Sequence, residues 1–407
     1  CAETYWSIPR APRPLKFDLR RDNKALEQTL LLAVRRHLVS DVPMGIFLSG
    51  GIDSALLATA AAKENARLHA FSMTFSRQQD TPYLDFAERL AARFGMQHHH
   101  VEISLQELPQ LLAQMVELAD EPLGDAADVA VYALSRKARN CVKAVLTGDG
   151  GDEVFGGYVR HRAELFARRY GKVLGMLRWV APFVSDVNRR RLHLLCTQRG
   201  AHRYASYLMS FPNPKQDVES MLNPDLLSQV DFESVIEFVG DELKNGEGLT
   251  SILATDLCTM LPDTYLRKND RASMMAGIES RLPFLDRALV ELAFSLPECA
   301  LVSLRIGKRV LRRLLAEWIP DHMASAPKMG FNIPTQSWLR SPELVEIRHD
   351  LAGSSSALQG LLSTSGMKFL IPDPVNPQQA SVQWRLLRLG LWARRWLKSP
   401  QDNEETH

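Results

Sequence analysis

Apolar and polar residues follow two different periods along residues 24–160. Short apolar runs are typical of buried strands, and apolar residues at every third or fourth position are typical of helices. Because the two patterns alternate, they predict an α/β fold with a doubly wound parallel sheet. The predicted strands are 44–48, 68–75, 98–103 and 142–147, and the predicted helices are 24–40, 55–63, 84–94, 108–119 and 129–140.

The pattern after residue 160 is mainly helical. Residues 160–203 are basic and helical in pattern, whereas Pro212, Pro214 and Pro224 predict a loop-rich segment at 211–248. Further helices are predicted at 249–276, 287–296, 308–318 and 383–397. We therefore expect a linker at 1–23, an α/β core at 24–160, a mainly helical part at 161–397 and a disordered tail at 398–407.

The composition is typical of a soluble globular protein. The chain has 407 residues, of which 45% are apolar and 24% charged, with a net charge of +2. This charge indicates no nucleic-acid partner, and no apolar run resembles a membrane span or a signal peptide. Five scattered cysteines without a CxxC pair indicate reduced thiols and no structural zinc, so we expect a cytoplasmic protein.

A glycine-rich stretch follows the first predicted strand and reads FLSGGIDS at 47–54. Two glycines let backbone N–H groups approach an anion, and the start of the next helix adds partial positive charge. Ser49 and Ser54 add hydroxyl donors, and Asp53 adds a carboxylate for a metal ion on phosphates. An ordinary strand-to-helix turn is the alternative. The string lacks the Gly-Lys-Ser/Thr ending of a Walker loop and resembles the pyrophosphate loop of the ATP pyrophosphatases.

A second glycine-rich stretch follows the last predicted strand of the core and reads LTGDGGDEVFGGY at 146–158. Glycines cost backbone entropy and neighbouring carboxylates repel, so a purely structural turn is the weaker interpretation. The residues favour a loop that binds a phosphate through a cation. Asp152 and Asp53 are candidates to share Mg²⁺, and Asp149 is a candidate to accept a proton from an attacking amine.

Two later segments are charged, and each leaves alternatives open. Asp270, Arg271, Glu279 and Arg281 form either a solvated helix face or a buried ionic network where the helical part meets the sheet. Lys328 is either solvated surface or the cation that neutralises charge on departing pyrophosphate.

The histidine run at 98–100 suggests a metal cluster, but alternate residues of a strand point to opposite faces. A strand edge is therefore the favoured interpretation. Cys1 invites comparison with an N-terminal nucleophile, but the residues after it offer no oxyanion loop, and we expect no such role.

Four motifs together resemble one family. SGGIDS, TGDGGDEVFGGY, DRASMMAGIESRLPFLD and PKMGFNIP, in this order, resemble the synthetase domain of glutamine-hydrolysing asparagine synthetases over roughly residues 5–395. The resemblance implies an adenine-nucleotide α-hydrolase-like core at 24–160. It also implies that ATP and aspartate form β-aspartyl-AMP, which ammonia converts to asparagine, releasing AMP and pyrophosphate.

The resemblance also implies roles for individual residues. It implies that Asp149 and Lys328 are catalytic and that Asp53 and Asp152 bind Mg²⁺. ATP binding falls on Phe47, Ser49, Gly50, Gly51, Asp53, Ser54, Met73, Thr147 and Gly148. Substrate binding falls on Glu153, Asp270, Arg271, Glu279 and Arg281.

The chain departs from the family pattern in two respects. Asp149 stands where typical bacterial members carry Glu, one methylene longer. The glutaminase domain, which supplies ammonia in the family, has no counterpart here, so we expect either a fragment or a stand-alone synthetase that uses free ammonia. A homodimer is compatible with the resemblance. The rival functions are a ligase for another carboxylate, such as a uronic acid, and a non-catalytic scaffold. Relatives that close β-lactam rings tend to carry Tyr at this position, so Asp149 argues against them.

Overall fold

The computed structural model describes residues 3–9, 19–75, 82–174, 200–209, 214–244, 248–320, 333–353 and 357–397. Cys1, Lys328 and the predicted tail at 398–407 lie outside these ranges.

A five-stranded parallel sheet forms the centre of the fold, which confirms the predicted α/β class. The strands are β1 (Met44–Phe47), β2 (His69–Phe75), β3 (Gln97–Ile103), β4 (Ala144–Leu146) and β5 (Glu279–Arg281). Their order across the sheet is β3-β2-β1-β4-β5. From β1 the chain adds strands first on one side and later on the other, so the strand order reverses between β1 and β4. Ligands of open parallel sheets bind outside the carboxyl ends of the strands at such a reversal.

Five helices of the first half agree in type with the prediction. They are α1 (Leu19–His37), α2 (Ile52–Lys63), α3 (Pro82–Arg93), α4 (Leu108–Leu118) and α5 (Ala127–Ala138). The short α6 (Gly151–Phe155) was not predicted, because its residues belong to the second glycine-rich stretch. The start of α2 differs from the prediction. It lies three residues before the predicted start, so that α2 directly follows the first glycine-rich loop.

Helices dominate the described residues after 158. They are α7 (Val159–Leu174), α8 (Gly200–Met209), α9 (Pro214–Met221), α10 (Pro224–Leu227), α11 (Phe232–Lys244), α12 (Gly248–Cys258), α13 (Arg267–Met275), α14 (Arg287–Ser295), α15 (Glu298–Leu301), α16 (Arg309–Trp318), α17 (Thr335–Leu339), α18 (Pro342–Leu351), α19 (Thr364–Phe369) and α20 (Pro377–Trp396).

Three expectations for this half were wrong. The described part of the predicted loop-rich segment at 211–248 is mostly helical, because Pro214 and Pro224 occupy first helical positions, where proline costs no hydrogen bond. The single helix predicted at 249–276 is divided by a π-helical turn at Leu261–Leu266. The strand β5 was not predicted, since three residues with charged ends carry no strand pattern.

The sheet is covered on both faces by apolar helices. Ile46 of β1 belongs to a core cluster with α1, α2, α3, α14 and α16, whereas its neighbour Phe47 contacts a cluster on the opposite face with α5. This alternation is the two-residue period of a strand. A third cluster joins α4 and α5 to α17 and α20 around Trp338 and Trp384.

A buried ion pair connects the last helix to the core. The Nη2 atom of Arg388 in α20 lies 2.8 Å from Oδ2 of Asp128 in α5, and its Nε donates to the carbonyl of Leu123 at 3.1 Å. Both side chains are almost fully buried. Burial raises the pKa of Asp128 to about 6, although Arg388 acts in the opposite direction.

We predict that Arg388→Met destabilises the fold by about 3–5 kcal/mol, because it leaves the buried Asp128 carboxylate without its counter-charge. The loss will be larger at pH 8 than at pH 5, where Asp128, with a pKa of about 6, is mostly neutral and needs no partner. Urea unfolding at the two pH values measures both effects.

Arg395→Met is the matched control on the same helix, because Arg395 pairs with Glu117 at the exposed surface. We expect that variant to lose less than about 1 kcal/mol at either pH. Equal losses for the two variants would contradict the argument.

Candidate active site

The first glycine-rich loop, residues 48–51, joins β1 to α2 at the reversal of strand order. Gly50 has a φ of 73°, in the left-handed region that favours glycine. The Oγ atom of Ser49 lies 3.1 Å from Oγ of Ser54 and accepts the backbone N–H of Gly51 at 3.3 Å. Since α2 begins directly after Gly51, its positive end lies at the loop. The structure thus brings together the serines and glycines predicted to bind ATP.

Two hydrogen bonds from β2 hold this loop in place. The backbone N–H of Leu48 donates to the carbonyl of Phe71 at 2.8 Å, and the Ser72 hydroxyl donates to the carbonyl of Leu48 at 2.5 Å. Sequence reasoning missed Ser72. The available signal was a hydroxyl between two apolar residues of the strand, Phe71 and Met73, because a buried hydroxyl requires a partner.

The second loop, residues 147–153, packs directly against the first. A Cβ atom on Gly148 would lie 2.9 Å from Cβ of Asp53, and one on Gly151 would lie 2.7 Å from its Oδ1. Such distances are too short for real side chains, so only glycine permits this approach. The glycines of the second loop therefore form a cradle around the Asp53 carboxylate.

Lys308 joins the two loops electrostatically. Its Nζ atom lies 2.5 Å from Oδ2 of Asp53 and 2.6 Å from Oδ1 of Asp152, and only 4% of the residue is exposed. Burial by itself lowers the pKa of Lys308, but Asp152 and Asp53 outweigh burial and the net pKa is raised. The site therefore holds two carboxylates that share one ammonium group.

Close backbone packing delivers Lys308 to this position. Gly307 packs on the backbone at Gly156, where an added Cβ would lie 2.4 Å from the carbonyl oxygen. A Cβ on Gly157 would lie 2.4 Å from Cε of Lys308. Lys308 itself adopts φ of 53°, unusual for a residue with a side chain. Sequence reasoning missed Lys308, although a glycine before a lysine at the start of a helix was visible.

Asp149 is held by hydrogen bonds that converge on one of its oxygens. Its Oδ2 accepts from the Thr147 hydroxyl at 2.8 Å and from Nδ2 of Asn269 at 2.5 Å. The Ser280 hydroxyl in turn donates to Oδ1 of Asn269 at 2.9 Å, which fixes the amide. Lys268, paired with Asp125 at 3.0 Å, adds positive charge to the surroundings of Asp149.

Glu153 lies beside Asp152 but is almost fully buried. The Tyr158 hydroxyl donates to its Oε1 at 2.6 Å, and the Arg160 guanidinium lies 3.8 Å from the centre of the Tyr158 ring. Burial, followed by the charge of Asp152, raises the pKa of Glu153 to about 7. Glu153 therefore gains and loses a proton near neutral pH. Its predicted contact with substrate stays a prediction.

The charged segment after α12 does not form the buried network that was one of two open alternatives. Asp270 and Glu279 are exposed, and Arg271 pairs with Asp120 at the surface. Arg281 contacts Glu279 at 2.8 Å and also donates to the carbonyls of His37 and Val39 at the end of α1. The segment reaches the site instead through Lys268 and Asn269, as described above. Substrate binding by these four charged residues stays a prediction.

The remaining predicted residues lie near the loops or outside the described ranges. Phe47 and Met73, expected to bind ATP, are half-buried next to the apolar cluster under α5. The role predicted for Lys328 falls on a residue outside the described ranges. The described helices include none that is long and apolar enough to cross a bilayer.

Fold and site together define an α/β domain of the ATP pyrophosphatase type. The chain belongs to the asparagine synthase family, a family of carbon–nitrogen ligases, because residues 25–398 match that family.

Similar proteins carry related names. A putative glutamine-hydrolysing asparagine synthetase of Mycobacterium tuberculosis H37Rv is 34% identical over 333 residues, 80% of this chain and 50% of that protein. Glutamine-hydrolysing asparagine synthetase 1 of Bacillus subtilis is 28% identical over 341 residues, 81% of this chain and 52% of that protein. Amidase chry2 of Gibberella zeae is 24% identical over 386 residues, 83% of this chain and 56% of that protein. The chain thus spans about half the length of these curated relatives.

We predict that Gly307→Ala destabilises the protein by roughly 1–3 kcal/mol, because the added methyl group overlaps the carbonyl of Gly156 and must displace the segment bearing Lys308. Gly360→Ala is the matched control, since a Cβ at Gly360 meets nothing within 4 Å. That control should change stability by less than about 0.5 kcal/mol. Urea unfolding of both variants measures the difference, and equal stabilities would contradict the packing described here.

Proposed function

We propose that the chain is an ATP-dependent amide-forming ligase that adenylylates a carboxylate, most simply that of aspartate, and then transfers ammonia to it. The observation that supports this most directly is the meeting of two glycine-rich loops at the carboxyl ends of β1 and β4. There Asp53 and Asp152 share the ammonium group of Lys308. Costly glycines, paired carboxylates and a buried cation together suit a polyphosphate better than they suit a structural turn.

In this proposal the first loop binds the pyrophosphate portion of ATP. Ser49, Ser54 and the N–H groups at Gly50 and Gly51 supply donors, and the positive end of α2 favours the negative charge. Phe47, Met73 and Gly148 border the adenosine, and Thr147 also contributes to ATP binding. Gly148 suits this role because the two loops lie in van der Waals contact there, which leaves no space for a side chain.

The residues present also fit a magnesium ion. Asp53 and Asp152 provide hard carboxylate oxygens, and the glycine cradle around them leaves no room for other side chains. Asp53 and Asp152 would hold the ion, which when bound would neutralise phosphate charge. Lys308 also neutralises phosphate charge, as a cation that the chain itself supplies. Lys328 is proposed to stabilise the leaving pyrophosphate.

Asp149 is proposed to accept the proton that ammonia loses as it attacks the adenylylated carboxyl group. Its Oδ2 is engaged by Thr147 and Asn269, and these donors orient the carboxylate. An aspartate at this place is one methylene shorter than the glutamate expected from the family pattern, and Asn269 supplies part of the support that sets its position.

The ammonia is proposed to be free or to come from glutamine through a glutaminase domain, as the names of the relatives suggest. A second candidate is amidation of a different carboxylate, favoured by the relatives named as amidases. The fragment and stand-alone alternatives for this chain, its cytoplasmic location and a homodimer stay predictions.

Pyrophosphate release, measured over a panel of carboxylates with saturating ammonium, tests the proposal. The panel contains aspartate, glutamate, a uronic acid and a β-amino acid. We expect aspartate to give the fastest release, with equimolar AMP and asparagine. Faster pyrophosphate release with another carboxylate would identify that carboxylate, in place of aspartate, as the acceptor. No release with any carboxylate of the panel would reject the ligase proposal.

We predict that Asp53→Asn and Asp152→Asn each abolish adenylylation while the protein stays folded, because each removes an oxygen ligand and half of the charge that faces Lys308. Isotope exchange between pyrophosphate and ATP measures this half-reaction. Asp263→Asn, at an exposed position outside the site, is the matched control and should exchange at the parent rate. Parent-like exchange in either site variant would mean that the cation is held elsewhere.

We predict that Asp149→Asn lowers amide formation more than pyrophosphate release, because only the ammonia step requires a proton acceptor. The ratio of amide to pyrophosphate should fall by at least tenfold, within the usual contribution of general-base catalysis. The ratio is measured at saturating ammonium. If both rates fall together at an unchanged ratio, Asp149 serves only the phosphate cradle.

A further inference from the structure

A second cluster of potential metal ligands lies on the sheet, away from the two loops. It consists of His69 at the start of β2, His99 in β3 and Cys141 in the segment between α5 and β4. One ligand atom from each residue lies within 4.8 Å of the others, and all three residues are half-buried. His69 begins the strand that leads towards the ATP-binding loops, about 20 Å along β2 from its carboxyl end.

The fold fixes all three side chains. In the parallel register Phe71 lies opposite His99, and the two rings stack with centroids 4.8 Å apart. The His69 and His99 rings also stack, with centroids 5.3 Å apart and planes inclined by 15°. The backbone N–H of Cys141 donates to the carbonyl of Ala138 at the end of α5, and the Cys141 side chain packs against the apolar cluster that contains Phe71. Ligands on rigid elements suit a preformed site.

A metal binds the neutral form of an imidazole ring. Burial, followed by the neighbouring His69 and by Lys137, lowers the pKa of His99, which favours that form of its ring. Nδ1 of His69 lies 3.0 Å from Nε2 of His99, a distance that a shared hydrogen bond explains. Two nitrogens bound to one tetrahedral Zn²⁺ lie about 3.3 Å apart, given Zn–N bonds of about 2.0–2.1 Å. If the two rings moved slightly apart, their nitrogens would therefore reach the distance that a bound Zn²⁺ ion requires.

We propose that His69, His99 and Cys141 bind one Zn²⁺ ion, with water as the fourth ligand. Two imidazole nitrogens and one thiolate are a donor set that zinc prefers. On binding, the Cys141 thiol releases one proton to solvent and the hydrogen bond between the two rings is replaced by two Zn–N bonds. No electron is transferred.

The proposed site differs from the expectation of no structural zinc, whereas β3, which carries the histidine run, is an edge strand as favoured from the sequence. The run at 98–100 does not act as a unit, because the ring of His98 contacts the Ser72 hydroxyl and that of His100 contacts the Thr74 hydroxyl. Only His99 faces His69. The expectation of no structural zinc rested on the missing CxxC pair, and a site assembled from three separate segments leaves no such spacing.

Cobalt titration of the full chain tests the proposal. Co²⁺ bound to a thiolate gives an ultraviolet charge-transfer band that oxygen ligands do not give. The band therefore distinguishes binding at Cys141 from binding at Asp53 and Asp152. We expect one Co²⁺ per chain, displacement by equimolar Zn²⁺, and release of about one proton. Cys141→Ser should abolish the band, and His99→Gln should weaken Co²⁺ binding by at least tenfold.

Two matched controls share the chemistry but not the position. Cys299→Ser removes an exposed thiol and His100→Gln removes a histidine of the same strand, and both should bind Co²⁺ like the parent. Cys141→Ala is the second thiol variant if the serine variant does not fold. The absence of a thiolate band in the folded parent chain would overturn the proposal, as would a band that persists in either Cys141 variant. His69 and His99 would then be only a hydrogen-bonded pair within the core.

Discussion

The candidate active site depends on one electrostatic constraint, the placement of a single buried ammonium group between two carboxylates. Without Lys308, Asp53 and Asp152 would face each other in a largely buried cleft, where like charges repel strongly. Gly148, Gly151 and Gly157 permit this approach, since Cβ atoms added there would overlap Asp53 or Asp152. The strand-order reversal between β1 and β4 supplies the place where the two loops meet.

Much of the α/β core could be predicted from sequence because β1 and β4 are apolar runs and helices such as α1, α3 and α4 are amphipathic. The two loops were equally visible, since glycines and acids directly after buried strands have few structural explanations. The residues that contact the two loops from elsewhere in the chain could not be predicted. Lys308, Ser72 and Asn269 reach the loops through tertiary packing, from positions that are distant or locally unremarkable in sequence.

The errors in the helical part have local physical causes. Proline was taken to mark loops at 211–248, yet at a first helical position it lacks only an N–H that would have no helical partner. β5 has no pattern of its own, and pairing with β4 alone makes it a strand. The charged segment that contains β5 was correctly singled out, but its neutral members Asn269 and Ser280, and not its four charged candidates, support Asp149.

The contact between Lys308 and Asp53 closes a loop of 255 residues, and this separation has a consequence for folding. The α/β core contains both carboxylates, but their counter-ion arrives only when the helical part has packed against it. A nascent or truncated core would therefore contain an uncompensated pair of negative charges. Assembly of the site is thus coupled to completion of the whole domain, and the boundary between the α/β core and the helical part does not divide two independently competent units.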